Sequence, residues 1–255
     1  MRSHQQTLVM PNRRRSVLLT GAGGGIGVQI LRQLIEDEYE VAFIDRDKAA
    51  LDRASAACPD GAVVVGAVVD GSDLGQVDAF VRHAGGKLGP FFGLVNCAGL
   101  FTPENFEDTT PQGWMQSISA NLLTQFCTCR VLLPQMRARG EGSVVNFAST
   151  AGEYGSVRPA AAYAAAKGGV IGLTKSLARE FSPDNVRVNA ISPGPTNTPA
   201  FQFSDEESRK VAAGRTLFNR VGEPMDIANG VLFLLSDKAS WITGTVLQVN
   251  GGSLL

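Results

Sequence analysis

The chain has 255 residues, 44% hydrophobic and 18% charged, with a formal net charge of −1, a balance that supplies the core of one large domain and excludes a disordered chain or a polyanion-binding surface. No run approaches the roughly 18 consecutive apolar residues of a membrane span, and residues 1–12 offer only Leu8-Val9-Met10 where a signal peptide needs an apolar stretch, so a cytoplasmic protein is expected. The four cysteines lack disulfide or metal-ligand spacing, and His4 and His83 are the only histidines, so neither a metal site nor a histidine triad is expected.

Taken in chain order, residues 1–14 read as a disordered tail and 15–255 as one domain. The short Arg13-Arg14-Arg15 run is not enough to suggest nucleic-acid binding. Apolar, β-branched runs at 16–20, 41–45, 63–70, 92–96, 143–148, 187–191 and 245–249 predict seven strands buried on both sides. Helical periodicity between them predicts helices near 25–38, 47–57, 74–85, 111–139, 159–181 and 224–236. The alternation predicts an α/β fold, a single-domain doubly wound parallel sheet of the Rossmann type with helices on both faces.

The first strand runs into Thr20-Gly21-Ala22-Gly23-Gly24-Gly25-Ile26-Gly27 and then a helix. A G-x-G-x-x-G spacing counted from Gly21 fails at Ile26, whereas G-x-x-x-G-x-G fits Gly21, Gly25 and Gly27. Glycines there let a pyrophosphate approach backbone N–H groups at the helix N-terminus, so Gly21, Gly25, Ile26 and Gly27 are candidate cofactor contacts. Asp45 ends the second strand 18 residues after Gly27, where an acid accepts hydrogen bonds from the adenosine ribose and repels a 2′-phosphate. Arg46 follows it, but Gly24 leaves the loop uncharged, so NAD is expected over NADP.

Tyr163 and Lys167 lie four apart in the helix predicted at 159–181 and so share one face. A phenol with an ordinary pKa of about 10 is a poor base near neutrality, and a nearby ammonium would stabilise its phenolate. That spacing is common by chance, but Ser149, fourteen residues earlier, ends a predicted central strand at the carboxyl edge where open sheets bind ligands. The same helix is rich in alanine and glycine on two sides, which predicts a second neighbour and a homo-oligomer, a dimer or tetramer. Residues 193–222 form the longest irregular stretch and are expected to act as a substrate-binding lid. Phe101, Glu153, Tyr154, Phe201 and Phe203 are candidate pocket neighbours.

From Arg15 to Gly252 the chain resembles the short-chain dehydrogenase/reductase family. The resemblance is carried, in the family's order, by Thr20 to Gly27, Asn96-Cys97-Ala98-Gly99, Asn121, Ser149, Tyr163-x-x-x-Lys167, and the run from Asn185 to Gly194. It implies Tyr163 as acid/base, Ser149 as the residue that holds and polarises the substrate oxygen, and Lys167 on the nicotinamide ribose, lowering the tyrosine pKa. Asn121 would hold a proton-relay water. Asn96, Ala98 and Gly99 would lie against adenosine and its ribose, Asp70 would face the adenine, and Pro193-Gly194 would border the nicotinamide. Gly71, Cys97 and Thr196 depart from residues usual in the family, and Thr198 resembles the hydroxyl that contacts the carboxamide. The implied activity is hydride transfer between NAD(H) and a small secondary alcohol or ketone. The alternatives are an NADPH-dependent 3-oxoacyl thioester (acyl-carrier-protein) reductase, against which Asp45 argues, and a catalytically silent dinucleotide-binding protein.

Overall fold

The computed structural model describes residues 15–199 and 205–253; the expected tail at 1–14 and the candidates Phe201 and Phe203 lie outside them. Seven strands, β1 (Ser16–Thr20), β2 (Glu40–Asp45), β3 (Val64–Val68), β4 (Phe91–Asn96), β5 (Gly142–Phe147), β6 (Val186–Pro193) and β7 (Val246–Val249), pair in parallel in the order β3-β2-β1-β4-β5-β6-β7. The order reverses between β1 and β4, which opens a crevice at their carboxyl ends, the place where doubly wound sheets take ligands.

The strands have few polar residues because both faces are covered. Leu18, Ile44, Leu94 and Val144 point into one core, with helix α3 (Leu74–Leu88), helix α5 (Thr124–Arg139) and the end of α7 (Ala161–Phe181). Their neighbours Val17, Phe43, Val95 and Val145 point into the other, against α1 (Gly25–Glu36), α2 (Lys48–Ala56) and α9 (Pro224–Leu235). The strand period of two thus divides one apolar run between two cores. Cys127 and Cys129 are both buried on α5, although their spacing predicts different sides, because that helix is enclosed by the sheet and α3.

Three stretches differ from the expectation. The continuous helix expected at 111–139 is α4 (Pro111–Ile118), a π-helical segment at Ser119–Leu123 and α5. A short helix α6 (Thr150–Tyr154) follows Ser149, which caps it by accepting from the Ala151 N–H. The stretch 193–222, expected to be irregular, contains α8 (Glu206–Ala213), capped by Asp205. Among the described residues no helix is long and apolar enough to cross a membrane.

Candidate active site

A cavity of about 710 Å³ opens at the carboxyl edge of the sheet, within the size range of cofactor and small-molecule sites. The glycine loop forms one wall. Gly21 has φ +66°, and a Cβ there would stand 2.7 Å from Ala98 Cα. At Gly27 a Cβ would meet the Gly21 carbonyl at 2.1 Å, so a side chain at either position would displace the loop or α1. Gly24, Gly25, Ile26 and Gly27 line the cavity, and α1 has neither a side-chain cap nor an acid in its first turn. Its free N–H groups and positive dipole end therefore fit a pyrophosphate.

Asp45 and Arg46 line the same end. The Asp45 carboxylate is fixed by two backbone donors, Gly23 N–H to Oδ2 and Asp47 N–H to Oδ1, each at 3.2 Å. Asp70 and Gly71 lie nearby, with Asp70 Oδ1 accepting from the Ser72 N–H and hydroxyl. Thr20 Oγ1 accepts from the Ala98 N–H and so holds the lining residues Ala98 and Gly99 against the end of β1. Pro193, Gly194, Thr196 and Thr198 border the cavity from β6 onward, and Thr196 Oγ1 donates to the Gly194 carbonyl at 2.9 Å.

The side chain of Asn96 is engaged away from the cavity. It is 1% exposed, is absent from the cavity wall, and donates from Nδ2 to Asn146 Oδ1 while accepting from Thr128 Oγ1. The alternation of β4 turns its amide into a buried polar network and leaves Cys97, Ala98 and Gly99 to face the cavity.

At the other end of the cavity, α7 presents Tyr163 and, one turn later, Lys167. Ser149, two residues beyond β5, lines the cavity beside Tyr163, where its hydroxyl favours the phenolate. Lys167 is 3% exposed; its Nζ donates to the Phe147 carbonyl at 2.8 Å and stands 5.7 Å from the Tyr163 ring centroid. Asn121 sits in the π-helical segment, which widens the turn. Its Oδ1 accepts from the Leu100 N–H, while Nδ2 donates to the Leu100 and Ser117 carbonyls. A Cβ at Gly99 would stand 2.8 Å from Asn121 Oδ1 and 3.3 Å from Lys167 Nζ, so a glycine there gives the asparagine and lysine their room.

Burial sets the protonation states. It raises the Tyr163 phenol above its ordinary value, opposed by the Ser149 hydroxyl, and lowers Lys167 to about 8. The first direction is opposite to the expected effect of an adjacent ammonium. Removing the phenol from water disfavours the phenolate, and this outweighs the lysine, whose Nζ directs one of its donors to the Phe147 carbonyl. Cys97 is pushed up to about 12, again by burial, and stays a thiol.

Sequence reasoning missed Gln125, which is 1% exposed. Its Nε2 donates to the Asn121 and Phe147 carbonyls, and its Oε1 accepts from the Phe147 N–H, tying the π-helical segment to the end of β5. Its only sequence signal is its four-residue spacing from Asn121. Of the candidate pocket residues, Phe101 lines the cavity edge-on to Tyr163, with ring centroids 5.1 Å apart. Glu153 and Tyr154 instead accept hydrogen bonds from Gln248 Nε2 and lie outside the wall.

A family model described as enoyl-(acyl carrier protein) reductase matches residues 21–253. The chain belongs to the short-chain dehydrogenase/reductase family. It is 35% identical over 252 residues to 2-(S)-hydroxypropyl-CoM dehydrogenase 3 of Xanthobacter autotrophicus, covering 95% of this chain and 98% of that protein. It is 37% identical over 251 residues to levodione reductase of Leifsonia aquatica, covering 93% of each. A solved structure of a variant actinorhodin polyketide ketoreductase with NADPH superimposes with a TM-score of 0.87 at 30% identity, covering 95% of this chain and 98% of that one. As a short-chain dehydrogenase/reductase, this protein is an oxidoreductase acting on CH–OH or ketone groups.

Proposed function

We propose that this enzyme transfers a hydride between NAD(H) and a small secondary alcohol or ketone, with Ser149, Tyr163 and Lys167 as its reacting site. The observation that carries the reading is one cavity lined by an uncapped, glycine-rich helix N-terminus and also by Ser149, Tyr163 and Lys167, the lysine Nζ 5.7 Å from the Tyr163 ring centroid. The nicotinamide, when bound, supplies or accepts the hydride.

The chain's residues move the proton. Tyr163, its phenol favoured in the protonated form by burial, donates that proton to a carbonyl oxygen in reduction; in oxidation the phenolate form, reached by loss of that proton, accepts the hydroxyl proton. Ser149 holds that oxygen. The buried Lys167 cation places positive charge beside the developing oxyanion and offers donors to a ribose hydroxyl. Asn121, held by Leu100 on both its amide atoms, keeps the π-helical turn beside Lys167. The substrate-binding lid proposed for 193–222 is represented among the described residues by 193–199 and 205–222 with α8, of which Pro193, Gly194, Thr196, Thr198, Ala212 and Arg215 line the cavity.

NAD over NADP rests on Asp45, whose oriented carboxylate would oppose a 2′-phosphate. The second reading, an NADPH-dependent 3-oxoacyl thioester reductase, is favoured by 34% identity over 243 residues to the 3-oxoacyl-(acyl-carrier-protein) reductase of Staphylococcus aureus and opposed by that carboxylate. A panel of secondary alcohols and ketones, followed by absorbance of the reduced nicotinamide with both cofactors, tests the two. Turnover of simple ketones with NADH supports the proposal; turnover confined to acyl thioesters with NADPH overturns it. In Asp45→Ala the NAD/NADP ratio of kcat/KM should fall at least tenfold, and an unchanged ratio removes Asp45 from cofactor selection.

Self-association belongs to the same proposal. Part of the small-residue face of α7 packs on α4 and the π-helical segment, while Leu123 and Phe126 next to it stay exposed. A second copy covering them predicts a dimer or tetramer by light scattering; a monomeric mass contradicts it.

A further inference from the structure

The carboxylates of the cavity wall are confined to one end, whereas cations stand along more of it. The carboxylates of its wall, Asp45 and Asp70, stand at the end read above as the adenosine site. Beyond that end the wall holds no other carboxylate among the described residues, and besides Arg46 it carries two exposed guanidinium groups, Arg158 from the loop before α7 and Arg215 just beyond α8. Neither belongs to the Ser149–Tyr163–Lys167 set, and hydride transfer to a neutral ketone requires neither.

Arg158 is tied to the reaction centre through aromatic rings. Its Cζ lies 5.4 Å from the centroid of Phe101, and Phe101 in turn meets Tyr163 edge-on at 5.1 Å. Its distance from the Tyr163 ring cannot exceed the sum of those two separations. A cation placed over an aromatic face is held near it. Arg215 makes no ion pair among the described residues, as is also true of Arg46 in the same wall.

We infer that the substrate carries an anionic group, a carboxylate, sulfonate or phosphate, a few bonds from the carbon that exchanges the hydride, and that Arg158 and Arg215 receive it. The inference rests on the proposed hydride-transfer reading and narrows its substrate class. A planar guanidinium presents paired N–H donors that match the oxygens of such a group, which would fix the substrate's long axis and so the face of the carbonyl offered to the cofactor. Val157, Phe101 and Ala212 line the same cavity and suit a short apolar spacer.

The test uses methyl ketones that end in a carboxylate, with one to five methylenes between the two groups, each compared with its methyl ester. Turnover is read with NADH, and binding of both members of each pair is read by calorimetry on the NADH-bound protein, so that the arginine claim is decided even without turnover. At the preferred length the carboxylate should exceed its ester at least tenfold in kcat/KM or in affinity. The double variant Arg158→Met/Arg215→Met should abolish that preference while ester kinetics and the Kd for NADH change less than about twofold. Equal binding of carboxylate and ester at every length overturns the inference, as does a loss of NADH affinity in the variant, which would assign the arginines to the cofactor phosphates. Carboxylate-selective binding without turnover of any ketone leaves the anion site standing and overturns the hydride-transfer reading instead.

Discussion

Lys167 carries a cost that follows from its place. Its pKa of about 8 lies below the ordinary 10.5 because burial penalises the cation. A group whose folded pKa is depressed in this sense destabilises the fold while it is charged in both states, below about pH 8, and the penalty fades as pH rises from 8 toward 10.5. Lys167→Met should therefore unfold at higher urea at pH 7, by up to about 3 kcal/mol, with the gain shrinking by pH 10 while activity is lost. An unchanged or lower midpoint at pH 7 would contradict the assignment. Gln125 works in the opposite direction. Gln125→Leu removes the donor from the Asn121 carbonyl and the acceptor from the Phe147 N–H, both buried, and should cost about 2 kcal/mol together with a fall in kcat. Wild-type stability and kcat in Gln125→Leu would show that the amide is dispensable.

At the scale of elements, the junction of β1 and α1 is the most tightly determined. Gly27→Ala would drive a Cβ into the Gly21 carbonyl, so its expected outcome is a lower Tm and at least a tenfold weaker Kd for NADH by fluorescence titration. An unaltered Kd would mean that the loop does not seat the pyrophosphate. This junction was legible in sequence, because the glycine spacing follows a strand and opens a helix. The π-helical segment at 119–123 was not. Residues 111–139 keep a helical pattern throughout, and the extra residue in that turn is held by partners from elsewhere, Leu100 bonding Asn121 and the end of β5 bonding Gln125. Helices α6 and α8 also escaped, since each is short and its pattern falls within one or two turns.

For the whole molecule, the seven strands and their parallel pairing were readable because each is a short apolar run covered on both faces, and alternating strands and helices allow few topologies. What topology alone brings together was not readable. Asn96 was placed at the cofactor by resemblance, yet the strand alternation turns it into the network of Asn146 and Thr128. Arg158 and Arg215 are 57 residues apart in sequence and meet in one cavity wall only after the sheet has formed. The direction of the Tyr163 shift depends on burial, which no four-residue spacing encodes. The central claim is that Tyr163 passes the proton in a hydride transfer, and Tyr163→Phe tests it most directly, assayed with NADH and the best ketone of the panel. The variant should retain the Kd for NADH within about twofold while kcat falls by at least roughly a thousandfold; turnover within tenfold of the parent enzyme would contradict it.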